Sequence, residues 1–190
     1  MFKNKTFAKI CLWIMCRFRK MYSPLVFWIL WWVWLKWTIS VTEKYAAKVI
    51  WGEMLHAGSI TEFREKIMRY DWLPEPAGGL LDFSYQIPWV CFCGNIPTRL
   101  GRDCDDFAEL AWRWCEIHNF ERIWQIMSIN DTFKSAHIIT VAFSAGIFVV
   151  MSNADRAKYI AAESLPKALE CYYPEETVWS VYRSEIQKEI

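Results

Sequence analysis

At 190 residues the chain suits one domain plus an appendage, not two full domains, and its 54% apolar content is enough to fill a core. A net charge of +1 excludes the strongly basic face that an electrostatic nucleic-acid binder needs. The departures that matter are 13 tryptophans and a basic N-terminus: Lys3, Lys5, Lys9, Arg17, Arg19 and Lys20 precede the first acidic residue, Glu43.

The stretch Phe7 to Phe18 is too short to span a bilayer and carries Lys9 and Arg17, which suits a basic amphipathic helix lying along a membrane interface. Tyr22 to Val41 is an apolar run of twenty residues with Lys36 near its end, and it holds five of the tryptophans. That length matches a membrane-spanning helix, with the basic N-terminus on the cytoplasmic side. Trp28, Trp31, Trp32 and Leu35 recur at the spacing of a buried amphipathic helix. Phe27, Ile29, Leu30, Val33 and Trp34 make the remaining faces apolar as well, which favours lipid. No small-x-small cleavage site follows the run, so it reads as an anchor and not as a cleaved signal peptide. The expected organisation is therefore a basic N-terminus and anchoring helix over 1–41 and a folded domain over 42–190, membrane-associated through a single pass.

Thr42 to Tyr70 has a helical pattern, with Tyr45, Val49, Met54, Phe63 and Ile67 among charged residues and a break at Gly58-Ser59. Asp71 to Pro97 carries Pro74, Pro76, Gly78, Gly79, Pro88, Gly94 and Pro97, so it reads as a long structured loop, and such loops are usually functional. A helix is predicted from about Asp103 to Ile117, a strand from Ile123 to Ser128 and a hairpin from His137 to Met151. A helix from Ala154 to Glu170 and a short element after Pro174 complete the chain.

The seven cysteines, at 11, 16, 91, 93, 104, 115 and 171, are odd in number and lack the spacing of a small disulfide framework. Cys91-x-Cys93 is too close for the usual zinc spacing. Except for Cys104 they read as small buried hydrophobes, which weakly favours a reducing compartment and conflicts with a domain outside the cytoplasm.

Cys104 is different because of its position. Asp103 is a good N-cap, which puts Cys104 in the first helical turn, where unpaired N–H groups and the helix dipole favour a thiolate. Asp105 and Asp106 oppose that, so a cationic histidine is needed to win. A three-residue loop, Ser144-Ala145-Gly146, would pair His137 with Asn153 across the hairpin. Asn153 could then orient the imidazole, with Asp155 in reserve. His56 and His118 lack such company. The backbone N–H of Cys104 is a natural oxyanion donor, with Gln86 or Trp89 as candidates for a second. Asp103, Asp105 and Asp106 lie too close together on one turn to cage a cation, and no metal or organic cofactor is implied.

The stretch Arg102-Asp103-Cys104-Asp105-Asp106-Phe107-Ala108 resembles the Gly-Asp-Cys signature of the transglutaminase-like branch of papain-fold cysteine peptidases, with His137 and Asn153 as the further matches. Arg102 stands where the family has Gly, Ile138 and Ile139 where an aromatic is usual, and Asn153 where Asp is commoner. The resemblance implies an α+β fold with a papain/transglutaminase-like core, the nucleophile helix packed on a small antiparallel sheet, over roughly Thr42 to Glu170. It implies Cys104 as nucleophile, His137 as general base and acid and Asn153 as orienter, acting on a peptide or protein amide by hydrolysis or amine transfer. The alternative is a catalytically inactive copy of the fold serving as a membrane-associated binding or structural module.

Overall fold

The computed structural model describes residues 9, 10, 13, 14, 17, 41–67, 104–129, 136–153, 157–173 and 177–186. The fold is α+β. Among the described residues there are four helices, α1 (Val41–Leu55), α2 (Ile60–Ile67), α3 (Cys104–Ile117) and α4 (Leu165–Tyr172). The five strands are β1 (Arg122–Ile129), β2 (Ala136–Ser144), β3 (Ile147–Met151), β4 (Lys158–Ala161) and β5 (Val178–Ile186). They form one antiparallel sheet in the order β4-β3-β2-β1-β5. The chain divides into two compact units, Phe18–Leu110 and Met1–Arg17 with Ala111–Ile190, so α3 begins in one and ends in the other.

The hydrophobic run Tyr22 to Val41 and the loop Asp71 to Pro97 lie outside the described residues, save that Val41 opens α1. No helix among the described residues is long and apolar enough to cross a membrane. Positions 9, 10, 13, 14 and 17 have helical backbone, with Ile10, Trp13 and Ile14 exposed and the Arg17 guanidinium 5.3 Å from the Trp13 ring.

In the unit Phe18–Leu110, the expected break at Gly58-Ser59 separates α1 from α2. Ser59 caps α2 by accepting the Glu62 N–H at 3.1 Å, and the Glu62 carboxylate reaches back to the Gly58 N–H at 2.8 Å, a variant of the capping box. Lys66 pairs with Glu62 at 2.8 Å, and this partner, with the Gly58 bond, holds the Glu62 carboxyl below the usual range. Met54, Ile60 and Phe63 are buried, and the Phe63 ring meets Phe107 at 6.0 Å. Tyr45 and Val49, expected on the apolar stripe, are exposed, and Ala47 is the buried position of that turn.

In the other unit the central strands of the sheet, β1 to β3, are buried on both faces, whereas β4 and most of β5 are exposed or half-buried. Strand alternation places Trp124, Ile126, Ile139, Val141, Phe148 and Val150 on one face, where Ala168 and Leu169 of α4 complete a core cluster. The opposite face carries Ile123, Gln125, Met127, Ile138, Thr140 and Ala142, all buried.

Three expectations for this unit need correction. The hairpin loop has two residues and not three: Ala145 and Gly146 both take positive φ, 51° and 80°, and Ser144 pairs with Ile147. Both central residues of a type I′ turn require positive φ, and that turn matches the twist of the strands. Glu121 supports it by accepting the Ala145 N–H at 2.8 Å. Second, the tail helix expected from Ala154 to Glu170 is replaced in its first half by β4, which pairs with β3, and α4 begins only at Leu165 with a proline in its first turn. Sheet pairing has overridden local helical preference there. Third, the short final element is a nine-residue strand, β5, paired along β1.

A register shift opposite Gln125 and Ile126 makes Tyr182 the extra residue of a bulge. The bulge reverses the alternation, so Arg183 shares the face of Gln125 and lies 3.8 Å over the Trp112 ring of α3. Glu185, two residues on, hydrogen-bonds Glu116, and burial together with that neighbour raises its carboxyl above the usual range. The helix then ends in a Schellman motif, with Asn119 left-handed at φ 54°, Phe120 N–H on the Cys115 carbonyl and Asn119 N–H on the Glu116 carbonyl. The Trp114 and Phe120 rings close that motif at 5.8 Å.

Candidate functional site

Cys104 is the first residue of α3, and its side chain is half-buried. Asp103, its expected cap, and Gln86 and Trp89, the expected oxyanion donors, lie outside the described residues. Asp105 and Asp106 follow within the first turn and are buried, as is Glu109 one turn later. The positive end of the helix dipole favours a thiolate at this position, while the two carboxylates work against it.

Cys115, near the other end of the same helix, is fully buried. Burial pushes its thiol well up, and the adjacent Glu116 charge adds to the rise. Of the remaining cysteines, only Cys171 is described, and it is exposed, contrary to the expectation of a buried hydrophobe.

His137 is on β2, opposite Ser128 of β1, at the end of the sheet where β2 begins and β3 ends. Ser128 donates its hydroxyl to the His137 carbonyl at 3.3 Å. The imidazole Nε2 lies 3.0 Å from Ser152 Oγ, just past the end of β3. His137 is half-buried, whereas Ser128 and Ser152 are 4% and 2% exposed, so one buried hydroxyl meets its backbone carbonyl and another its ring.

The one-residue register correction accounts for this partner. Thr140 pairs with Met151, so the ladder continued outward sets Ile139 beside Ser152 and Ile138 beside Asn153. His137 shares the Ile139 face, which brings Ser152 to the ring by a diagonal cross-strand contact. Asn153 is half-buried, and its Oδ1 is buried with no hydrogen-bond partner among the described residues. Sequence reasoning found His137 and the strand that serves it but missed Ser152. The signal was available in Ala145-Gly146, which a two-residue turn fits as well as a three-residue one.

Asp155, the reserve orienter, lies outside the described residues. His56 and His118 are exposed, and His118 stacks on Trp114 at 4.2 Å. Among the described residues no group of three His, Cys, Asp or Glu side chains could hold a metal ion. Chemically, α3 presents a partly accessible thiol at a helix start, and the sheet presents a half-buried imidazole whose Nε2 meets Ser152. No family model, curated protein or solved structure matches this chain.

Proposed function

We propose that the protein is a cysteine hydrolase or acyltransferase of transglutaminase-like type, with a papain/transglutaminase-like core. Cys104 is the nucleophile, His137 the general base and acid, and Asn153 the third polar group of the triad. The observation that carries the reading is the placement of Cys104: a half-exposed thiol in the first turn of a helix whose next eight residues are all buried. In chain order the helix leads into an antiparallel sheet that carries His137 on its second strand, as the resemblance implies.

In this mechanism the Cys104 thiolate attacks the carbonyl carbon of a peptide or protein amide, or of an ester. The C–S bond forms as the carbonyl π electrons move to oxygen, and the Cys104 N–H is one donor to that oxyanion. Collapse expels the amine or alkoxide, which takes a proton from the His137 imidazolium and leaves a thioester. Neutral His137 then removes a proton from water or from an acceptor amine as it attacks, and the thiol departs. No metal or organic cofactor enters these steps. Membrane association through Tyr22 to Val41 belongs to the same proposal and would restrict the substrate to one near a bilayer.

The test is an acyl-enzyme trap. Incubation with p-nitrophenyl acetate followed by peptide mass mapping should place the acetyl group on Cys104, with none on Cys104→Ser and slower loss of the adduct in His137→Ala. Acetylation confined to Cys171 and surface lysines would contradict the reading. One observation favours the second reading, an inactive copy of the fold used as a membrane-associated binding or structural module. Asp105, Asp106 and Glu109 are all buried within two turns of Cys104, and their charge disfavours a thiolate. That reading predicts no acyl adduct on a folded protein.

A further inference from the structure

The helical positions near the N-terminus turn an apolar stripe towards solvent. Ile10, Trp13 and Ile14 are 50%, 56% and 53% exposed, and their spacing of three and four residues puts them on one helical face. A single exposed apolar side chain is ordinary, but a contiguous stripe marks a surface that something else covers. Cations stand at both ends of this one. Exposed Lys9 precedes Ile10, and exposed Arg17 lies one turn beyond Trp13, with its guanidinium 5.3 Å from the Trp13 ring. That contact holds a charged head level with the indole.

The surrounding sequence has the same sign. Lys3, Lys5, Lys9, Arg17, Arg19 and Lys20 all precede Glu43, the first acidic residue, and the apolar run Tyr22 to Val41 begins soon after Lys20.

We propose that Ile10, Trp13 and Ile14 dock into the headgroup region of an anionic lipid bilayer, with Lys9 and Arg17 meeting its negative headgroups. The proposal rests on the membrane association through Tyr22 to Val41, which brings a bilayer near, and is independent of the chemistry given to Cys104. Charge decides the occupant. A purely apolar partner would cover the stripe but leave both flanking cations without a counter-charge. An anionic bilayer matches both features: tryptophan settles at the boundary of headgroups and acyl chains, while lysine and arginine reach the headgroup charges. Each basic residue near such a surface strengthens attachment roughly fivefold. Three apolar side chains alone make a weak anchor, so the contact should depend on negative lipid.

The test follows amide hydrogen exchange by peptide mass spectrometry, with the full chain diluted from detergent into liposomes. One set is phosphatidylcholine, and the other contains about 30% phosphatidylserine as the anionic component. Peptides covering residues 9–17 should exchange at least about fivefold more slowly on the anionic set. Raising salt to about 500 mM should shrink that difference. Lys9→Gln combined with Arg17→Gln should remove it, and Trp13→Glu should abolish protection on both sets. Peptides from β1 to β3 should exchange alike throughout, which shows that each variant keeps its fold.

Equal exchange of residues 9–17 on the two lipids overturns the proposal. So does protection that persists in Trp13→Glu, because the stripe would then not be what the bilayer covers. Peptides from Tyr22 to Val41 in the same samples separate this claim from the anchor. Protection there without anionic dependence at 9–17 keeps the anchor and sinks the docking stripe. Anionic protection at 9–17 with none over Tyr22 to Val41 supports the stripe and sinks the anchor. Protection of neither sinks both.

Discussion

One helix carries two cysteines with opposite environments. Cys104 opens α3 and is half-buried, whereas Cys115 is fully enclosed, with its thiol pushed well up by burial and by Glu116. Residue type and helix are the same; position along the helix differs. The first turn offers backbone N–H groups that favour negative charge, while the last turns offer packing and carbonyl ends. Around the C-terminal turns, Trp112 donates to Glu116 at 2.5 Å, Arg113 pairs with Glu116 at 3.0 Å and Arg183 covers the Trp112 ring. The lesson is that a cysteine's chemistry is set by which end of a helix it occupies and by how much packing surrounds it.

The largest expected effect is on labelling. Under native conditions at pH 8, iodoacetamide should modify Cys115 on the order of a thousandfold more slowly than Cys104, because Cys115 needs local opening first. Peptide mass mapping over time checks this, and comparable rates would erase the contrast. Trp112→Ala removes a large buried side chain and the Arg183 stacking partner, and should cost about 3–5 kcal/mol in urea unfolding. It should also raise Cys115 labelling towards that of a free thiol.

The next effect is on the pH dependence of stability. The folded Cys115 thiol stays protonated where the unfolded chain ionises near pH 8.5, so the folded state binds more protons above that pH. Stability should then fall with rising pH, by up to about 1.4 kcal/mol per pH unit from this group. Cys115→Ala should flatten the alkaline slope even though its cavity lowers overall stability. The smallest effect is that of Glu116→Gln, which removes the charge beside Cys115 and should move the onset of Cys115 labelling to lower pH without changing Cys104 labelling.

Much of this contrast was legible in the chain. Cys104 at a helix start, the helix to Ile117, the break at Gly58-Ser59 and a hairpin between His137 and Met151 all follow from local patterns, and all four are present. Local signals failed where partners at a distance decide. Lys158–Ala161 became a strand because β3 offers it an edge, and Tyr182 became a bulge because β1 and β5 do not keep one register. The hairpin shows the finest limit. A turn of two residues in place of three moves the ladder by one position, and that single step puts Ser152 beside His137.

The central claim is that Cys104 is an activated thiol governed by His137. The most direct measurement is the rate of Cys104 alkylation by iodoacetamide from pH 5 to 9, compared between wild type and His137→Ala. The account predicts rapid labelling at pH 6 that falls by about tenfold or more in the variant. A profile rising with a midpoint near 8.5 in both proteins, the behaviour of a free thiol, would contradict it.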